Sequence, residues 1–133
     1  MIDVDNIVKR LAEYFSLKDE IVMAFLFGSV SKARTHSESD MDIAVYFRRE
    51  LSDAMESAIW ADVEKIAGIN VDFVVLNRAF PFIADSALKG MPIVIKDRRV
   101  YLKFLLRTVS EAIDYQAFLE SCWHLKQRRG NVD

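Results

Sequence analysis

The chain has 133 residues, 52% hydrophobic and 29% charged, with four glycines and two prolines; that fits one domain with a single core, residues 1–133, and excludes a disordered or low-complexity chain. A formal net charge of −2 argues against a module that grips a nucleic-acid backbone, which needs a basic face, so no direct nucleic-acid binding is expected. The one cysteine, Cys122, excludes an intramolecular disulfide, and neither a signal core nor an apolar run of bilayer length is present, so a soluble cytoplasmic protein with no membrane partner is expected.

Val4, Ile7, Val8, Leu11, Ala12 and Phe15 recur at helical spacing and predict an amphipathic helix over residues 3–17. The continuous apolar run Ile21–Phe27, ended by Gly28, suits a strand buried on both faces. Residues 29–39 are polar, and Met41–Phe47 reads as a second strand. Ser52 or Asp53 can cap a helix to Ala67, with Met55, Ile59, Val63 and Ile66 inward and Gly68 as its stop. A third strand is expected over Ile69–Leu76, and a short helix over Phe80–Lys89, stopped by Gly90 and Pro92. Pro92–Lys96 and Arg99–Leu102 read as short edge strands. Lys103–Gln127 reads as a helix with Phe104, Leu105, Val109, Ala112, Ile113, Leu119 and Trp123 on one side. The whole is an α/β (α+β) domain, a sheet flanked by helices.

Three features coincide at the strand ends. Gly28-Ser29 follows the first strand, Asp40-Met41-Asp42 opens the second after ten intervening residues, and Asp72 lies in the third. Carboxylates at i and i+2 of a strand point to one face, so Asp40 and Asp42 can converge while Met41 enters the core. Mg²⁺ takes a few carboxylate oxygens and lets substrate phosphates complete its shell; Asp72 on an adjacent strand would complete a two-metal site for in-line displacement. A glycine lets backbone approach a phosphate closely, and a serine adds a hydroxyl donor. Lys32 and Arg34 fit either surface charge or triphosphate contact. Gly-Ser alone is an ordinary turn and Asp-x-Asp alone a common strand start, but their conjunction arises by chance in on the order of one or two per thousand chains of this length. Asp72 between Val71 and Phe73 adds a charge that is costly among apolar neighbours unless paired or ligated.

Gly28-Ser29-(ten residues)-Asp40-Met41-Asp42-Ile43-Ala44-Val45 resembles the signature of the polymerase-beta-type nucleotidyltransferase superfamily, and the small size resembles its minimal nucleotidyltransferase (MNT) group. Proteins of that group are commonly the antitoxin half of a HEPN/MNT toxin–antitoxin pair. The motif covers residues 21–76. The resemblance implies a polymerase-beta-like fold with a mixed, largely antiparallel sheet and helices against one face. It also implies two Mg²⁺ ions held by Asp40, Asp42 and Asp72, ATP as substrate, and Gly28 and Ser29 on its phosphates. It implies transfer of AMP to a hydroxyl, a tyrosine being expected, of a partner HEPN ribonuclease. Ala33-Arg34 departs from the pattern: family members often carry a glycine soon after that pair, and here Thr35 follows.

Other residues read more plainly. His36 suits a solvated loop position. Cys122, beside Trp123, suits core or interface packing. Phe80-Pro81-Phe82 fits a hydrophobic staple, and Lys126, Arg128 and Arg129 fit a solvated tail at the negative end of the last helix. Two further functions stand beside protein AMPylation: a silent antitoxin acting by binding alone, and a small-molecule nucleotidyltransferase of the aminoglycoside type. The first has no need of three metal-directed aspartates. The second usually appends a further domain, whereas fewer than sixty residues follow Leu76.

Overall fold

The computed structural model describes residues 3–28 and 41–132, side chains beyond 127 excepted. Elements run α1 (Val4–Ser16), β1 (Ile21–Phe27), β2 (Met41–Phe47), α2 (Asp53–Ala67), β3 (Val71–Val75), a 3₁₀ turn (Leu76–Arg78), α3 (Pro81–Leu88), β4 (Met91–Ile95) and α4 (Arg98–Val132). The strands form one sheet in the order β3-β2-β1-β4. β1 pairs antiparallel with β2 and with β4, and β2 pairs parallel with β3. The sheet is therefore mixed and largely antiparallel, as expected.

Local chemistry accounts for the helix ends. The Asp3 and Ser52 side chains accept the backbone N–H of Asn6 and Met55, capping α1 and α2. Gly68 closes α2 in the left-handed region at φ 74°, a conformation that costs glycine little. Pro81 opens α3 at a position where its missing N–H has no helical partner.

Pleating divides the core in two. Ala24, Leu26, Met41, Ile43, Val45, Phe47, Val71 and Val75 meet Ile7, Leu11 and Phe15 of α1 and Ile59 and Val63 of α2. On the opposite face Met23, Phe25 and Ala44 meet Ala84, Ala87 and Leu88 of α3 and Phe104 of α4. Helices thus cover both faces of the sheet, not one. The run Ile21–Leu26, buried at every position, reports this directly, since a strand covered on one face alone would alternate.

Several boundaries differ from the sequence reading. The third strand is shorter, because Leu76–Arg78 turns into a 3₁₀ helix. Asn77, at the centre of that turn, directs its side chain back onto β2: its amide accepts from Phe47 N and donates to Phe47 O, both at 2.9 Å. Arg99–Leu102 forms the first turn of α4, not a strand; the Asp97 carboxylate accepts the N–H groups of Arg99 and Val100 at 3.0 and 3.1 Å and nucleates the helix there. Met55 is exposed rather than inward. The expected apolar side of α4 reaches the core at Phe104, while Val109, Ile113, Leu119 and Trp123 are exposed. Among the described residues no helix is long and apolar enough to cross a membrane.

Candidate functional site

The site is built where β1 ends and where β2 and β3 begin. In the sheet, Phe27 lies opposite Asp42, and Asp42 opposite Asp72. Met41 and Ile43 are fully buried against α1 and α2, so Asp42 between them points to the other face of the sheet. Val71 and Phe73 pack on that same α1/α2 side, which turns Asp72 to the face of Asp42. The two carboxylates are neighbours across a parallel pair whose strands lie about 4.8 Å apart. Farther along the strands that face is covered by α3 and α4 over Ala44 and Tyr46; at this end Asp42 is half-buried and Asp72 exposed. Asp72 therefore carries no burial cost, contrary to the expectation for a charge among strand apolars.

Gly28 follows β1 in the left-handed region, φ 84°. A Cβ there would overlap the Asp42 carboxylate, with the carboxyl carbon at 2.9 Å and Cβ at 3.3 Å. Backbone thus lies directly against the carboxylate, an approach that only glycine permits. Gly90, just before β4, is confined in a similar way: a side chain there would strike the Leu26 carbonyl and Phe27 Cβ, so the α3–β4 turn seats tightly over the end of β1.

The start of β3 is held from outside by α2. The Trp60 indole donates to the Val71 carbonyl at 2.7 Å, and the Val71 N–H donates to Glu64 at 2.9 Å. The Asn70 carbonyl meanwhile accepts from Met41 N at 3.1 Å. An edge strand leaves alternate backbone groups without a ladder partner; Trp60 and Glu64 satisfy those of Val71, the residue beside Asp72. The sequence reading missed this bracket. Its only signal was the i,i+4 spacing that puts Trp60 and Glu64 on one stripe of α2.

Of the residues singled out from sequence, the structure brings together Gly28, Asp42 and Asp72. Ser29, Lys32, Arg34, His36 and Asp40 lie outside the described residues. Among the described residues no group of three acidic, histidine or cysteine side chains forms a metal-binding cluster; two of the three expected carboxylates are among them. Cys122 is exposed and does not belong to the core. Phe80 is 77% and Phe82 53% exposed, so they do not form a packed staple.

A mixed sheet with helices on both faces, a glycine turn after the first strand and paired aspartates at the head of the next two defines a nucleotidyltransferase-like core. The family model "Polymerase beta, Nucleotidyltransferase" matches residues 9–99, and the chain belongs to that family. No curated protein sequence matches it significantly. Solved structures do. A chain of a toxin–antitoxin complex with AMP-PNP is 20% identical, with a TM-score of 0.73 over 92% of this chain and 98% of that one. A chain of the MntA-HepT toxin–antitoxin complex is 17% identical, with a TM-score of 0.68 over 94% and 99%. A chain of a complex between tri-AMPylated Shewanella oneidensis HEPN toxin and MNT antitoxin is 19% identical, with a TM-score of 0.65 over 90% and 98%. At such identities these likenesses show a shared fold.

Proposed function

We propose that the chain is a minimal nucleotidyltransferase antitoxin that transfers AMP from ATP to a hydroxyl, a tyrosine being the expected acceptor, of a partner HEPN toxin and thereby neutralises it. One observation carries the enzymatic half of this reading: Asp42 and Asp72 stand side by side on one face of the sheet, with the Gly28 backbone against Asp42. The partner and the acceptor are suggested by the company that similar folds keep, a HEPN toxin carrying AMP in one complex and AMP-PNP present in another. Residues 1–133 act in this reading as one minimal unit.

The donor chemistry fits Mg²⁺, a hard cation that takes carboxylate oxygens and keeps room for phosphates and water. Asp42 and Asp72, with Asp40 one residue before β2, would hold two such ions. When bound, the ions lower the pKa of the acceptor hydroxyl and neutralise charge on the departing pyrophosphate. The chain's own residues do the positioning. Gly28 lets a phosphate approach the backbone at the end of β1, Ser29 adds a hydroxyl donor, and Lys32 and Arg34 supply positive charge for the triphosphate. Trp60 and Glu64 fix the start of β3 and so the place of Asp72. The acceptor oxygen forms a bond to the α-phosphorus as the bond to pyrophosphate breaks, and its proton passes to solvent or a nearby base. Catalysis of this kind is chiefly orientation and charge stabilisation.

The test is transfer of label from α-³²P-ATP with Mg²⁺ to a co-expressed HEPN partner, read by denaturing electrophoresis. Labelled partner with the native chain and none with Asp40→Ala or Asp42→Ala is the expected result. Co-purification without label would favour the silent, binding-only antitoxin, and absence of both would favour a small-molecule acceptor.

A further inference from the structure

The strongest unexplained feature outside this site is the far half of α4. The helix has 35 residues, about 52 Å at 1.5 Å each, and only its first half packs on the sheet. Tyr101, Phe104 and Thr108 form the seam that faces the domain, with Phe104 5% and Thr108 2% exposed. The same seam continues beyond the domain edge as Tyr115, Phe118, Cys122 and Leu125, at the 3-4-3 spacing of the first and fourth positions of a heptad. There it is uncovered: Tyr115 is 44%, Phe118 63% and Leu125 60% exposed, flanked by Leu119 at 42% and Trp123 at 58%. At its root the Tyr115 ring meets Phe82 of α3 edge-on at 5.0 Å, and Phe80 to Ile83 extend the apolar surface as a ledge.

We infer that residues 111–129 of α4 pair antiparallel with the same segment of a second copy of this chain, about a two-fold axis beside Glu120. This goes beyond the proposed function and does not rest on it. The segment is self-complementary in that register. Tyr115 falls opposite Leu125 of the other copy and Phe118 opposite Cys122, each seam position meeting the seam position an antiparallel pair requires. Charge is segregated along the same stretch. It begins with Glu111, Asp114 and Glu120 and ends with Lys126, Arg128 and Arg129, with no basic residue before His124 and no acidic one from 121 to 129. The antiparallel arrangement sets the acidic start of the segment in one copy against the basic end of the other. A parallel pair would set each charge against its own kind. Glu120 occupies the heptad position farthest from the seam and faces solvent.

The area suffices for a stable pair. Aromatic side chains present about 150–250 Å² each, so the half-exposed stripe together with the Phe80, Phe82 and Ile83 ledge offers on the order of 800 Å² per copy, the share that a standard interface takes from each partner. A two-fold pairing of one patch with itself closes at two copies and leaves no further edge to propagate.

The full chain tests this in solution. Light scattering on a size-exclusion column at about 50 μM should give twice the 15.3 kDa chain mass. Cys122, the single cysteine, would lie four helical residues from its counterpart along the axis, so a short bis-maleimide should capture a covalent dimer. Phe118→Glu should weaken dimerisation at least tenfold and abolish capture while circular dichroism and thermal unfolding of the domain stay native, since the side chain is surface-exposed. A monomer at this concentration overturns the inference, as does a dimer that survives Phe118→Glu. Protection of Cys122 only on adding a different protein would also overturn it and assign the stripe to that protein.

Discussion

At the scale of single residues, the two left-handed glycines separate function from stability. Gly28 and Gly68 both have positive φ, but a Cβ on Gly28 enters the Asp42 carboxylate while one on Gly68 meets nothing within 4 Å. Gly68→Ala should cost about 1 kcal/mol of stability, the usual penalty of placing a side chain in that region, and leave transfer intact. Gly28→Ala should cost a similar amount in stability and lower transfer at least a hundredfold, because it displaces the carboxylate; urea unfolding beside a labelled-ATP assay distinguishes the two. Asp72, being exposed, can be replaced without harm to the fold. Asp72→Asn is expected to unfold at the native midpoint and lose transfer activity, and a large drop in midpoint would instead assign it a structural role. Tyr14 provides a pH signature. Its hydroxyl donates to Asp62 at 2.7 Å, and burial, then that bond and the Asp62 charge, raise its pKa above the ordinary 10.0. The folded chain therefore keeps a proton that the unfolded chain releases above about pH 10, so this contribution is complete below pH 10 and is lost as pH rises beyond it. Tyr14→Phe should flatten the fall in stability between pH 9 and 11, measured by urea unfolding.

At the scale of elements, the start of β3 depends on α2. Trp60 and Glu64 satisfy the outward backbone groups of Val71, which would otherwise rely on water at the sheet edge. Glu64→Ala removes an acceptor from one N–H and should cost about 1 kcal/mol. Because Val71 adjoins Asp72, the same change should lower the transfer rate severalfold with little effect on ATP affinity, as read from initial rates against ATP concentration. At the opposite end of the strands, Asn77 completes the hydrogen bonding of Phe47. Asn77→Ala is expected to lower stability by about 1–2 kcal/mol while leaving transfer unchanged, since it lies at the end of β2 away from Asp42. The contrast would show that the position of Asp72, and not general sheet stability, governs activity.

At the scale of the whole molecule, the two faces of the sheet have different tasks. The α1/α2 face holds most of the buried side chains and anchors β2 and β3. The α3/α4 face carries the carboxylates at one end and leads into the projecting half of α4. Residues beyond Ala112 and up to 127 are exposed, so they contribute little to the core. At a dilution where both are monomeric, a chain ended after Asp114 should lose only the helical circular-dichroism signal of the removed part of α4 and unfold within a few degrees of the full chain; a collapse of the thermal transition would show that the projecting helix supports the core.

Much of this was readable from residue order because the governing forces are local. Ile21–Phe27 and Met41–Phe47 are strands whose limits follow from unbroken apolar runs, and α2 lies between the Ser52 cap and the Gly68 stop that short-range hydrogen bonding and φ preference dictate. The spacing of Gly28 and Asp42, with Asp72 in the next strand, pointed to the family without any knowledge of the fold. Arg99–Leu102 was misread as strand because the deciding contact is the Asp97 carboxylate on the following N–H groups, which an apolar pattern does not record. The reach of α4 was misjudged for a related reason: its heptad stripe is continuous in sequence, and only packing determines where the domain beneath it ends. The register that sets Asp42 beside Asp72, the helices on both sheet faces, and the grip of Trp60 and Glu64 on Val71 belong to the tertiary structure alone. Each joins groups distant in sequence, and their distances are fixed by how buried faces fit together rather than by the preferences of neighbouring residues.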